Sequence, residues 1–545
     1  MNPKAHERWV EKVKAMLSKL DWPAGKVVAR AHATGASLAF TAPLDRLYSA
    51  TEVNEWAWLS TCLEMGMEDL EIPLAPGYPS LKDSAQAAST LLHLAKVESQ
   101  SNLLALVEEA TAHSLPWLMD DDMLSLGAGQ GSRGWSKTAL PERGEVKWEE
   151  LHSIPIALVT GTNGKTTSVR LSAAMCAAQG WLPGHTCTDG VFVGGEWLEA
   201  GDYSGPVGAR QILRHPKVQA AILETARGGI LRRGLPVQRA QAALVTNVTE
   251  DHFGEYGMHR LEDLAEAKLS VARALGSDGL LVLNADSPTL REQAGMLDVP
   301  LGWFALDDTH PLLEQHRQAG GSTCAPREGR LRLHAGGLDF DLGTLAAMPI
   351  TAGGAARYNI ANAAGASLLA MAMGVEPARI AEVLNRFGQK PSDNPGRLEH
   401  RMVKGTQVLL DYAHNPEGLQ GLLAVAGSLR THRLGLLLGQ AGDRDDGAIR
   451  ALAAVAASAH PDQVVLKDLE GYMRGREAGA VPALLADELM RQGVPASRIE
   501  TLLSEVAAAK ALLAWARPGD VVVLPIHNLE ARRKLALYLD HLPLE

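Results

Sequence analysis

From Ile154 onward, short apolar runs alternate with alanine-rich stretches that have helical spacing. The runs are IPIALVT (154–160), VQAAILET (218–225), AQAALVTNV (240–248) and DGLLVLNAD (278–286), and a helix is predicted after the first, through Cys176. Strands alternating with helices predict a parallel α/β sheet. The pattern breaks at KPSDNPGR (390–397), where Pro391, Pro395 and Gly396 interrupt helical spacing. It then restarts with TQVLLDYA (406–413), a helix after Pro416, RLGLLLGQ (433–440), DQVVLKD (462–468), another helix and DVVVLPI (520–526). That is a second α/β unit.

Residues 1–150 read differently. Short strand-like pieces (KVVARAH, ASLAFTA) mix with helical stretches at Ser84–Ala95 and Leu103–His113. The glycine-rich patch Leu126–Trp135 (LGAGQGSRGW) reads as a loop. The expected organisation is therefore a small α+β domain over 1–150, a central domain over 151–395 and a C-terminal domain over 396–545.

Composition narrows the class. The 545 residues are 46% hydrophobic and 21% charged, enough apolar material for substantial cores. A net charge of −11 argues against a partner held by its phosphate backbone, so no nucleic acid is expected. Four scattered cysteines, Cys62, Cys176, Cys187 and Cys324, form no CxxC pair, so neither a disulfide framework nor a zinc knuckle is implied. The charged, amphipathic N-terminus lacks a signal-peptide core, and no run has the length of a membrane span. A soluble cytoplasmic protein is expected.

The sharpest local signal is Val159-Thr160-Gly161-Thr162-Asn163-Gly164-Lys165-Thr166-Thr167, which follows a predicted strand and opens a helix. A phosphate-binding loop needs that context, because backbone N–H groups and a helix N-terminus then face the anion. Lys165 would neutralise β- and γ-phosphate charge, and the Thr166 hydroxyl would reach Mg²⁺. The match to GxxxxGK[ST] is imperfect, since Val159 stands where that pattern wants glycine.

The GTNGKTT loop resembles the nucleotide loop of Mur ligases and folylpolyglutamate synthases, ATP-dependent enzymes that join a carboxylate to an amine. Further on, TDGVFVGG, GDYSGPVGAR, LETARGGILRRGL and TNVTEDHFG resemble the Mur-ligase half of the cyanophycin synthetase family. The resemblance extends from about Leu151 to the C-terminus, with a faint likeness over 1–150. It implies a Mur-ligase-like central P-loop ATPase domain on a parallel sheet, followed by a Rossmann-like C-terminal domain. Cyanophycin synthetases place an ATP-grasp module between the two parts; here the LGAGQGSRGW patch leads almost directly to the phosphate loop. One of that family's two reactions is therefore expected, with an ATP-grasp enzyme on a separate chain as a possible partner and a homo-oligomeric state by kinship.

The resemblance also implies roles for particular residues. Glu224, at the end of an apolar strand, is expected to hold Mg²⁺, and His252 of TEDHFG to be a second metal ligand. Lys268 stands where Mur ligases carry a lysine carboxylated by CO₂, whose carbamate would serve a second Mg²⁺; an exposed helix lysine among acidic neighbours is the alternative. Asn359 and Asn362 of RYNIANAAG are expected near the nucleotide, although asparagine could instead cap the helix. Arg397 is expected on the ATP phosphates and Asp411 on the ribose. With Gly161, Thr162, Asn163, Gly164, Lys165, Thr166 and Thr167, these make the expected ATP site, in which Lys165, Glu224, His252, Lys268 and Arg397 carry the chemistry.

On the substrate side the resemblance points to Thr188, Asp189 and Ser204, with Arg227 to neutralise a carboxylate. His414 and Asn415 share the Asp411 loop. Arg474 and Arg476 of MRGREAG are either a guanidinium fork for the incoming amino acid's α-carboxylate or a solvated face. Three functions compete. An amide ligase acting through an acyl phosphate would add an amino acid to a peptide or polyamino acid. A silent Mur-like accessory protein would bind ATP without turnover, and a small-molecule kinase would make ADP without an amide.

Overall fold

A computed structural model describes residues 3–23, 25–32, 35–66, 84–250 and 255–541. The chain divides into two compact units, Met1–Ser153 with His252–Leu264 and Ile154–Asp251 with Ala265–Glu545. Among the described residues no helix is long and apolar enough to cross a membrane.

In the first unit, the helices Pro3–Lys19, Leu47–Glu64 and Ser84–Glu98 enclose a core of Trp9, Val13, Met16, Val53, Trp56 and Leu91, closed by the antiparallel strands Val27–His32 and Gly35–Phe40. A smaller core of Leu103, Leu106, Leu124 and Leu126 lies under a three-stranded antiparallel sheet. Here the expected loop at 126–135 is corrected. Leu126 ends the strand Met123–Leu126, and Arg133–Trp135 belong to the strand Arg133–Ser136. The glycines between them serve close packing: a Cβ on Gly127, whose φ is +79°, would lie 2.1 Å from the Gly131 carbonyl oxygen.

The second unit is built on two sheets. The larger has a parallel centre: β1 (Ile156–Thr160), β2 (Pro183–Cys187), β3 (Ala220–Glu224), β4 (Ala240–Val245), β5 (Leu275–Asn284), β6 (Leu301–Phe304) and β7 (Ser322–Arg327). Across the sheet these run β7-β6-β5-β4-β1-β3-β2, with the antiparallel pairs Arg330–Ala335/Leu338–Thr344 and Gly190–Val193/Glu196–Ala200 extending either edge. The edge hairpins add antiparallel strands to the expected parallel sheet; their turns carry Gly194-Gly195 and Gly336-Gly337, all with positive φ. Strands β1 and β3 are buried along their whole length. Covered on both faces, they read as continuous apolar runs rather than alternating ones. Helices α1 (Lys165–Ala178) and α2 (Arg357–Ala372) cover one face, packing Val169, Met175, Leu368 and Leu369 against Val159, Ile222, Leu244 and Phe304.

The order fixes where a ligand can enter. From β1 the chain crosses to β2 and β3 on one side, then to β4 on the other. Strand β1 is thus a topological switch point, and loops diverging from it open a crevice at the strands' carboxyl ends.

The smaller sheet pairs β8 (Thr406–Asp411), β9 (Leu434–Leu438), β10 (Gln463–Leu466), β11 (Ile499–Thr501) and β12 (Val521–Pro525) in the order β8-β12-β9-β10-β11, all parallel. The strand Glu399–Val403 adds an antiparallel edge beside β8. Successive residues point to opposite faces: Leu409, Leu436, Val464 and Val523 join one core, and Val408, Leu437, Val465 and Val522 the other. Helix α3 (Pro416–Leu429) covers the first face.

A buried ion cluster ties the sheets together. Asp189, just beyond β2, accepts from Arg170 of α1 at 2.7 Å and from Arg532 of the helix Leu529–Asp540 that follows β12. Arg170 also reaches the Pro395 carbonyl in the connection between the sheets. Position 396 favours glycine: φ is +64°, and a Cβ would approach Arg532 Cδ to 2.7 Å. Burial alone would raise the Asp189 pKa, but Arg397, Arg532 and Arg170 hold it below the usual carboxylate range.

Because the folded-state pKa is depressed, the stability Asp189 contributes is present above the unfolded carboxylate pKa and is lost as pH falls through the folded value. Asp189→Asn should therefore destabilise at neutral pH, by about 3–5 kcal/mol, and flatten the strongly acidic limb of stability against pH. Denaturant unfolding from neutral to strongly acidic pH checks both.

Candidate active site

The switch point carries the phosphate loop. Strand β1 ends at Thr160, and α1 begins at Lys165 with Gly164 as its N-cap at φ +85°. A Cβ on Gly164 would sit 2.1 Å from Asn362 Oδ1, and one on Gly161, at φ +145°, 1.9 Å from Thr246 Oγ1. Both glycines are thus required by conformation and by close approach. The residues after β4 brace the loop. Asn247 Oδ1 accepts from Asn163 N at 2.9 Å, and Thr246 Oγ1 donates to the Asn163 carbonyl at 2.5 Å. Lys165 Nζ curls back to the Thr162 and Gly161 carbonyls at 2.9 and 3.2 Å. From the last turn of the helix Leu261–Leu269, buried Lys268 donates to the same Gly161 carbonyl at 3.0 Å.

Glu224 stands at the end of β3, 1% exposed. Its two oxygens accept from different hydroxyls, Oε2 from Thr166 at 2.8 Å and Oε1 from Thr188 at 3.0 Å. A carboxylate beside a phosphate-loop threonine is the donor set a hard divalent cation prefers. His252, the other expected ligand, lies outside the described residues. Among the described residues no three of His, Cys, Asp and Glu converge on a common point.

The smaller sheet closes the cavity. Arg397 Nη2 reaches Thr166 Oγ1 at 3.4 Å, and its guanidinium lies 4.1 Å from the Tyr412 ring centre. Burial opposes the charge on Arg397, yet Asp189, Glu224 and Asp411 raise its pKa overall. Asp411 ends β8 and accepts from the backbone N–H of Leu398 and of Ala413, at 2.6 and 2.8 Å. Burial raises its pKa against the pull of those N–H groups and of Arg397. Asn415 caps α3 by accepting from Gly418 N and donates to Asn163 Oδ1 at 2.9 Å, joining the two sheets' loops directly.

Three comparisons bear on this arrangement. Residues 159–370 match the Mur ligase middle domain, and residues 396–525 match the Mur ligase glutamate ligase domain. The chain belongs to the Mur ligase family. Similar proteins include the cyanophycin synthetases of Geminocystis herdmanii (34% identical over 68% of this chain) and Trichormus variabilis (36% over 69%), each matched over 42% of its own length. The chain thus spans less than half of these relatives. The UDP-N-acetylmuramoyl-L-alanyl-D-glutamate–2,6-diaminopimelate ligase of Xanthomonas campestris is 28% identical over 69% of this chain and 73% of its own. Among solved structures, the E. coli FolC complex with DHPP and ADP aligns at a TM-score of 0.52 with 20% identity, covering 71% of this chain and 88% of that one. A bifunctional folylpolyglutamate synthase/dihydrofolate synthase with Mn, AMPPNP and L-glutamate gives 0.53 and 20%, over 71% and 90%. These two show the shared fold.

One cavity is lined by Thr162, Asn163, Gly164, Lys165, Thr166 and Thr167 of the loop, by Thr188, Ser204 and Glu224, by Asn359 and Asn362 of α2, and by Arg397, Asp411 and His414. Gly161, whose carbonyl accepts from Lys268, and Asn415, bonded to Asn163, are not among its lining residues. Asn359 does not cap α2, whose N-cap is Ala356; its amide donates to the Ile350 carbonyl and accepts from Asn362.

Other expected substrate residues do not reach the cavity wall. The arginines of the ion cluster occupy both Asp189 oxygens. Arg227 is buried at the start of its helix. Arg476 spends its donors on the Gly442 and Arg444 carbonyls and on Asp446, so it offers no open fork. Arg474 lies beside the Tyr472 ring, more than half exposed. Asn247, Asp202, Tyr358, Tyr412 and Glu417 do line the cavity and were not foreseen. All lie inside or beside the motifs that carry the family resemblance; the missing signal was the side-chain direction that folding sets.

Gly164→Ala should lower stability by about 1–3 kcal/mol through the positive φ and its contact with Asn362. Adding Asn362→Ala should recover only the steric part, which thermal unfolding of the single and double variants would show.

Proposed function

We propose that this protein is an ATP-dependent carboxylate–amine ligase that adds an amino acid, through its amine, to a carboxylate of a peptide or polyamino acid. The observation that carries the reading is one cavity where a phosphate loop, the Thr166–Glu224–Thr188 group and Arg397 with Asp411 face each other across two sheets. Neither a kinase nor a silent binder requires that second sheet. Relatives named cyanophycin synthetase support a storage-polymer type of substrate. A basic amino acid as the amine, a separate ATP-grasp enzyme and a homo-oligomer are the companion proposals.

The chemistry follows from charge. A carboxylate is unreactive toward amines, so its oxygen attacks the γ-phosphorus of ATP and ADP departs. The amine nitrogen then attacks the acyl phosphate carbon; the tetrahedral intermediate collapses to the amide, releasing phosphate and the amine's proton. Lys165 and Arg397 are the fixed cations for the charge gathered in both steps, and the loop's N–H groups orient the triphosphate. Asp411 takes the ribose, and Asn362 lies by the nucleoside.

Thr166, Glu224 and His252 would hold Mg²⁺, with a carbamate on Lys268 serving a second ion. Mg²⁺ bound there would neutralise phosphate charge and orient its oxygens. Lys268 must lose its proton before CO₂ can add to Nζ, and its burial against the Gly161 carbonyl favours an enclosed site over an exposed helix face.

The test is incubation with MgATP, aspartyl or glutamyl peptides and a panel of amino acids, read by mass spectrometry and ADP release. The expected product is the sum of peptide and amino acid less one water, one ADP per bond. Lys165→Ala and Glu224→Gln should each lower kcat on the order of 10²–10³-fold. Steady ADP without amide would overturn the ligase reading. Full activity in Lys268→Ala would remove the carbamate.

A further inference from the structure

Behind the Asp411 loop lies a fully enclosed group of charges that the chemistry above does not use. Lys467 follows β10, Glu505 opens the helix Glu505–Trp515, and His527 follows β12; the three are 0%, 1% and 4% exposed. Lys467 Nζ lies 2.5 Å from Glu505 Oε1 and 3.2 Å from His527 Nδ1. Glu505 also accepts from the backbone N–H of His527 at 2.8 Å and of Asn528 at 3.2 Å. His527 Nε2 lies 3.0 Å from the carbonyl oxygen of Ala413. Room has been left for the lysine: a Cβ on Gly439 would approach the Lys467 carbonyl to 2.7 Å and its Cγ to 2.9 Å.

Hydrogen-bond chemistry sets the direction of this chain. An ammonium has donors and no acceptor, so Lys467 donates to Nδ1 and the imidazole proton resides on Nε2. That N–H then donates to Ala413, between Asp411 and His414 of the cavity wall. Burial lowers the His527 pKa, and Lys467 lowers it further, which keeps the ring neutral. The Glu505 carboxylate is the anion paired with that ammonium; burial lowers the Lys467 pKa by more than the carboxylate pulls it back. The edge of the imidazole meets the Tyr412 ring with centroids 5.2 Å apart, so the same residue touches two neighbours in the loop. Because β12 lies directly beside β8, the loops after them are adjacent.

A buried ion pair is seldom the best device for stability, since well-packed apolar residues of equal volume serve as well or better. What a lysine adds here is control of a histidine tautomer. We infer that His527, with its proton placed by the Lys467–Glu505 pair, is a positioning residue that holds the 411–414 loop in the geometry for nucleotide binding. The inference rests on the ligase reading only in taking that cavity as the nucleotide site.

The test compares His527→Phe with His527→Gln in the full-length protein. Phenylalanine keeps the ring against Tyr412 but removes the donor to Ala413. Glutamine can accept from Lys467 through its carbonyl and donate to Ala413 through its amide. Titration calorimetry with a magnesium nonhydrolysable ATP analogue, and KM for ATP in the ligation assay, are the readouts. His527→Phe should weaken nucleotide affinity about tenfold, the loss of roughly one hydrogen bond, with KM for ATP changing more than KM for the amino acid. His527→Gln should recover most of that loss. Lys467→Met, which frees the tautomer, should fall between them. A folded His527→Phe protein that binds the analogue as the wild type does would overturn the inference. Equal losses in the Phe and Gln variants would also overturn it, since the donor would then not matter. If the wild-type protein bound no nucleotide, the ligase reading itself would fail.

Discussion

One buried carboxylate holds the two halves of the site together. Asp189 sits at the end of β2 and receives a guanidinium from the phosphate-loop helix and another from the last helix of the smaller sheet. The cluster is an excess of positive charge around a single anion, with Arg397 contributing at longer range. Such an arrangement tolerates little displacement, because any oxygen that loses an arginine leaves an unpaired charge away from water. The cavity exists because the sheets meet there. Glu224 and the phosphate loop come from one, Arg397 and Asp411 from the other, and neither set makes an enclosed site alone.

Around this constraint the loops are braced by hydrogen bonds among their own residues. Thr246 and Asn247 hold the Asn163 backbone; Asn415 ties the Asn163 side chain to the cap of α3. The Lys467–Glu505–His527 chain does similar work on the far side of the Asp411 loop. Catalytic groups on loops need such support, since displacements on the order of 1 Å cost large factors in rate.

Much was legible beforehand because it depends on local rules. The apolar runs at 156–160, 220–224, 240–245 and 434–438 became buried parallel strands, since burial on both faces requires uninterrupted apolar sequence. The glycine-lysine-threonine turn fell between strand and helix as its composition requires. The strands in LGAGQGSRGW were missed because glycine normally signals a loop, and only the crossing of Gly127 against Gly131 explains why glycines sit beside those strands.

The amino-acid sequence by itself determined the two α/β patterns, the break near Pro395 and the strand–turn–helix setting of GTNGKTT, because periodicity and turn chemistry act over a few neighbours. Tertiary structure alone decided which polar groups face the cavity and which hold it up. Asp189 became the anchor of an ion cluster, Arg476 a brace for its own loop, and Asn415 a helix cap. The reason is that a charged side chain has the same sequence signature whether its partner is a substrate or another residue. What distinguishes the two is which elements lie within about 3 Å after folding, and that depends on strand order, with β12 inserted beside β8 and β1 between β3 and β4.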